Sequence, residues 1–107
     1  MLVATTERIV GYEVTETLGE VFGITVRSRG LFGNIGASFK SLVGGEIHQY
    51  TKLLEEARTH AVERLVARAG EMGADAVIMM RFDSSEIGNS MSEIVAYGTA
   101  VRLRPAR

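Results

Sequence analysis

The sequence predicts an α+β domain: an antiparallel-rich β-sheet packed on one long amphipathic helix, with a short second helix. Three observations carry this expectation. Residues 12–27 alternate apolar and polar with a period near two. Residues 46–72 carry an apolar stripe that steps by three and four. Two further strand-like stretches lie at 76–82 and 92–103. The 107 residues are one domain's worth, so residues 1–107 are read as a single domain.

The elements follow in order. Leu2 to Ala4 suits a short first strand. From Tyr12 to Arg27 the even positions Tyr12, Val14, Leu18, Phe22, Ile24 and Val26 would share one apolar face. Glu16 and Glu20 interrupt that face, and Gly19 and Gly23 mark bends or bulges, so one long bent strand or two consecutive strands fit. Residues 30–45 are punctuated by glycine, with Ile35, Phe39, Leu42 and Val43 at helical spacing between hinges.

From Glu46 to Met72 the residues Ile47, Tyr50, Leu54, Ala57, Ala61, Leu65, Ala69 and Met72 form one stripe. Lys52, Glu55, Glu56, Arg58, Glu63 and Arg64 occupy the other side, and Gly70 and Gly73 suit the stop. Such a helix is about 40 Å long, against about 20 Å for a six-residue strand. It is expected to overhang its own sheet and to need a second subunit. Gly73-Ala74-Asp75 reads as a turn. Ala76 to Phe82 reads as a strand buried on both faces, and Asp83 to Ser90 as a polar loop. Ser92 to Leu103 is the last strand, with Val95, Tyr97, Val101 and Leu103 on one face and Gly98 opposite as a point of close backbone approach.

Composition narrows function. Net charge is −1, which lacks the basic excess of a nucleic-acid binder. There is no cysteine, which removes disulfides, thiolate ligands and thiol nucleophiles. The start of the chain has no signal-peptide pattern, and the longest wholly apolar run, Ala76 to Met80, is far short of a membrane span. A cytoplasmic location and no membrane partner are the expectation. Acids gather early (Glu7, Glu13, Glu16, Glu20) and arginines late (Arg102, Arg104, Arg107), so these charges meet if the first and last strands approach.

Several segments together resemble a known family. They are Leu18-Gly19-Glu20-Val21-Phe22-Gly23, Val43-Gly44-Gly45-Glu46, Tyr50-Thr51 with Leu53-Leu54-Glu55-Glu56-Ala57-Arg58, Gly73-Ala74-Asp75-Ala76-Val77 and Tyr97-Gly98-Thr99-Ala100-Val101. In this order the chain resembles the YbjQ-like proteins, a widespread bacterial group labelled for heavy-metal binding and without an established reaction. The resemblance implies a dodecin-like α+β fold assembled as a homo-oligomeric ring, a pentamer. It implies a divalent or heavy-metal ion as ligand but transfers no ligand residue.

The residues themselves offer limited chemistry. Glu56, His60 and Glu63 are spaced four and three apart on the helix and form the one local cluster suited to a metal ion, although a solvated helix face explains them as well. A soft metal prefers thiolates, and the thioethers of Met72, Met79, Met80 and Met91 serve packing first. A ring could still build a site from several copies. Gly30, Gly33 and Gly36 lead into the short helix, where amides can hold an anion, yet no Gly-Lys-Ser/Thr follows and hinge packing fits better. Asp83, Ser84, Ser85 and Glu86 are adjacent in sequence but match no catalytic motif. No enzyme is expected. A ring-forming protein that holds a metal ion or small ligand is the leading expectation, and an adaptor oligomer that binds another protein is the alternative.

Overall fold

A computed structural model of the chain describes residues 1–28, 48–88 and 91–107. The described residues form four strands and one helix: β1 (Leu2–Val3), β2 (Tyr12–Ser28), α1 (His48–Glu71), β3 (Ala76–Ile87) and β4 (Met91–Pro105). The sheet order is β1-β3-β4-β2. β1 runs parallel to β3, and the other pairs are antiparallel, so the α+β sheet is mixed. The short helix expected within 30–45 lies outside the described residues, as does the glycine motif at 30–36.

α1 packs through the middle of its stripe. Ala57, Ala61, Leu65 and Ala69 are fully buried, whereas Leu54 and Met72 near the ends are partly exposed. The helix stops by a Schellman motif. Gly73 adopts φ +82°, its N–H donates to Gly70 O at 3.0 Å, and Ala74 N–H donates to Ala69 O at 3.0 Å. Asp75 then ties the turn to the last strand. Its Oδ2 accepts from Leu103 N–H at 2.8 Å and its own N–H donates to Val101 O at 2.9 Å.

The expected overhang is reversed. The 24 residues of α1 span about 36 Å at 1.5 Å per residue. The 17 residues of β2 span about 56 Å at 3.3 Å per residue. β2 is one continuous strand because two register shifts, between Val14 and Glu16 and between Thr17 and Gly19, absorb the irregular positions without ending it. Gly19 meets the second bulge with φ +121°. The sheet therefore outruns the helix.

The bulges also redistribute the faces of β2. Leu18 packs with the helix-side core, while Val21, Gly23 and Thr25 are the buried residues of the second half. Phe22, Ile24 and Val26, which share the apolar face read from the sequence, lie on the side away from the helix. Gly23 explains the choice. A Cβ there would collide with the Ala61 carbonyl and the Leu65 amide, so the helix backbone lies directly on the sheet backbone at this point. Only the odd-numbered face, with glycine at its centre, admits so close a helix.

The polar stretch Asp83–Ile87 is strand, not loop. It continues β3 and pairs with Met91–Val95. Among the described residues no strand pairs with its outer edge, and polar side chains are ordinary on an outer strand. Met79, at φ 55°, sits in a register shift between Ile78 and Arg81 that bends β3, so the strand is buried only over Ala76–Ile78. Gly98 acts as expected: an added Cβ would lie 2.7 Å from Val77 Cγ1 and 2.9 Å from Ile78 O. Early acids and late arginines do meet, because β2 pairs with β4. Glu13 Oε2 contacts Arg104 Nη2 at 2.7 Å, and Glu16 Oε2 lies 3.6 Å from Arg102 Nε.

Candidate functional site

The helix cluster resolves into separate parts. Glu56, His60 and Glu63 are all exposed. His60 reaches the edge of β2, where its Nδ1 lies 2.6 Å from Arg27 Nη2. A guanidinium can only donate, so Nδ1 is the acceptor and the ring proton sits on Nε2. That bond occupies the lone pair a metal ion would use. Among the described residues, no three His, Asp or Glu side chains come together as a metal-binding group. The methionines are spread out: Met79 is at the bulge near Thr99, and Met91 is at the far end of β4, about 25 Å away along the strand. With no thiolate in the sequence, the described residues of one chain do not fit a soft heavy-metal ion.

The same part of the helix builds a second arrangement. Successive residues of α1 hold the outer edge of β2. His60 pairs with Arg27, Arg64 Nη1 donates to Ile24 O at 2.6 Å, and the Arg68 guanidinium lies 5.2 Å from the centre of the Phe22 ring. An edge strand leaves carbonyl and amide groups unpaired, and these side chains cover part of that row.

Beyond this clasp, the first half of α1 and the end of the β3–β4 hairpin separate to form a cleft of about 530 Å³. Arg27 from β2, Thr51 and Arg58 from α1, and Phe82, Ser84 and Ser92 from the hairpin line it. Arg58 stacks over Phe82 at 5.0 Å from the ring centre. Glu55 and Glu86 add negative charge to the walls. The volume lies in the range of small-molecule sites, and the wall combines an aromatic ring, hydroxyls and charges of both signs. Beside it, Thr25 is 2% exposed, and its Oγ1 has no hydrogen-bond partner among the described residues.

The Asp83-Ser84-Ser85-Glu86 cluster divides between the faces. Ser84 and Glu86 alternate with Asp83 and Ser85 along the strand, and all four border the cleft at the strand edge. Asp83 Oδ1 accepts from the Ser84 backbone N–H at 2.9 Å, and Ser85 Oγ donates to Glu93 Oε2 at 3.3 Å. The sequence reading missed the cleft because its walls come from β2, α1 and the hairpin. The available signal was Arg58, which directly follows a stripe residue and so flanks the buried line.

The comparisons with known proteins agree with the segments noted in the sequence. The model of the YbjQ family, described as "Putative heavy-metal-binding", matches residues 1–104. A UPF0145 protein of Bradyrhizobium sp. (strain ORS 278) is 62% identical over 107 residues, covering 100% of this chain and 96% of its own length. One from Enterococcus faecalis is 60% identical, covering 95% of this chain and 98% of its own. One from the archaeon Sulfurisphaera tokodaii is 55% identical, covering 94% and 89%, so the expectation of a purely bacterial group was too narrow. The fold is similar to a crystal structure of a DUF74-family protein of unknown function from Pediococcus pentosaceus. The TM-score is 0.63 at 14% identity, covering 97% of this chain and 98% of that one. Among the described residues no helix is long and apolar enough to cross a membrane. Matched along nearly its whole length by the family model and by close relatives, the chain belongs to the YbjQ family.

Proposed function

We propose that the protein is a non-catalytic, ring-forming homo-oligomer that holds a small polar ligand. A metal ion is the ligand only where side chains of neighbouring copies combine. The observation that supports this reading is the cleft of about 530 Å³ beneath the first half of α1. Two guanidinium groups, Arg27 and Arg58, line it with the Phe82 ring and the Ser84 and Ser92 hydroxyls. Guanidinium forks hold carboxylates or phosphates, and the ring offers a stacking surface. The Ser85–Glu93 contact pairs a hydroxyl with a carboxylate, but among the described residues no third group orients it, which favours binding over nucleophilic catalysis.

The test is a thermal-shift screen with divalent metal ions, carboxylates and phosphate esters. A ligand at a hundred times its Kd adds about 2.7 kcal/mol, or roughly 10 °C in Tm for a domain of this size. The gain is expected to vanish in Arg58→Ala. A screen in which no compound raises Tm overturns ligand binding. The sheet face turned away from the helix favours a second reading, an adaptor oligomer whose partner is another protein, because that face offers contact area without a cavity.

A further inference from the structure

The cleft has a neighbour. Between α1 and β3 a second hollow of about 440 Å³ opens beside Phe82, with Thr59, Val62, Glu63 and Val66 in its wall. Arg58 and Phe82 line both cavities, and the guanidinium stacked on the ring is the partition between them. Val62, Val66 and Phe82 also pack against the buried helix-side core, so the floor of this hollow is apolar. The first cleft is polar and charged. Its floor follows from the strand register. Arg27, Ser92 and Glu86 form one row across β2, β4 and β3, and Thr25, Ile94 and Ser84 form the next row toward Phe82.

We propose that the two cavities together hold one ligand, an α-amino acid with a large apolar side chain. The proposal rests on the reading of the cleft as a small-ligand site and names the class of ligand. Charge comes first. Arg27 and Arg58 share the border of the cleft with four acids, Glu55, Asp83, Glu86 and Glu93. A bare anion meets those carboxylates unfavourably, and a bare cation meets the two guanidinium groups. An ammonium and a carboxylate on one molecule answer both signs. Asp83 Oδ1 already accepts from Ser84 N–H, and Glu93 Oε2 accepts from Ser85 Oγ, so the ammonium is assigned to Glu55 on the helix.

Spacing agrees with this assignment. Glu55 and Arg58 are three apart on α1, which sets their Cβ atoms about 5–6 Å from each other on one side of the helix. Among the described residues no ion pair joins them, and the Arg58 guanidinium lies on the Phe82 ring instead. An α-amino acid carries its two charges on a single carbon, so opposite charges at this short spacing match it. An exposed cation–π contact is weak, and Arg58 can turn from the ring to a carboxylate, which it grips through two parallel N–H bonds. That turn bares the ring and joins the cavities. Val62 and Val66 follow Arg58 by four and eight residues, about 6 and 12 Å along the helix axis. A side chain leaving the charged head at Arg58 therefore runs past Phe82 into the apolar hollow.

The test is titration calorimetry of the full chain with phenylalanine, N-acetylphenylalanine, phenylalanine amide and glycine. The second lacks the ammonium, the third the carboxylate and the fourth the apolar body. Phenylalanine is expected to bind, and each of the others at least about tenfold more weakly, the scale of one lost charged hydrogen bond or one unburied side chain. Glu55→Gln, at an exposed position, is expected to weaken phenylalanine by about tenfold and to leave N-acetylphenylalanine unchanged. Any of the three analogues binding as tightly as phenylalanine overturns the proposal. An unchanged phenylalanine affinity in Glu55→Gln overturns the assignment of the ammonium. Phenylalanine that does not bind, where a carboxylate or a phosphate ester does, overturns the proposal and leaves the cleft reading standing. No binding by any of these compounds overturns both. The four-compound series uses the unaltered protein, so it reads out even where Glu55→Gln fails to fold.

Discussion

The two faces of the sheet are built from opposite materials. The helix side is closed with small residues, Gly23, Ala57, Ala61, Ala96 and Ala100, around a few larger ones such as Leu65 and Val77. The far side carries the bulk: Phe22, Ile24, Val26, Val95 and Tyr97. Apolar size is therefore a poor guide to which face is the core. Small residues let two backbones meet, which buries peptide surface as well as side chains. Large residues left outside have no such contact within the described chain, and large exposed apolar patches on soluble domains mark surfaces that something else covers.

Substitutions on the helix side test this contrast most severely. Gly23→Ala places a Cβ into the Ala61 carbonyl and Leu65 amide, both backbone groups that cannot turn aside. It is expected to cost more than about 3 kcal/mol, seen as a large fall in the urea midpoint. Leu65→Ala, at a fully buried site, should cost about 2–5 kcal/mol in the same assay. Thr25→Val sharpens the comparison from the other direction. Thr25 Oγ1 is buried without a hydrogen-bond partner among the described residues, so the isosteric apolar side chain should leave stability unchanged or raise it by up to about 1 kcal/mol. A loss above that size would show that the hydroxyl serves a contact beyond those described.

Much of this architecture was legible in the residues. The stripe Ala57-Ala61-Leu65-Ala69 marked the buried line of the helix, Gly98 marked a close approach, and the Glu-rich start and Arg-rich end met across β2 and β4. The facing of β2 was not legible. Period-two alternation separates two faces but does not say which one the helix takes, and Gly23 decided that by sterics rather than by hydrophobicity. The extension of β3 through Asp83–Ile87 was hidden because polar outer strands and loops share a composition. The cleft was hidden for a different reason: Arg27, Arg58 and Phe82 are far apart in the chain, and only the fold assembles them.

The pairing of β2 has a consequence for how the chain comes to be folded. Tyr12 pairs with Pro105, and Ser28 with Met91. An early strand thus waits for a segment that is synthesised long after it. The β3–β4 hairpin closes locally and can form first, while β2 stands without its strand partner until β4 has been made. Through that interval its protection falls to chaperones or to nascent contacts with α1, whose residues follow it in the chain and can cover Gly23 before β4 exists.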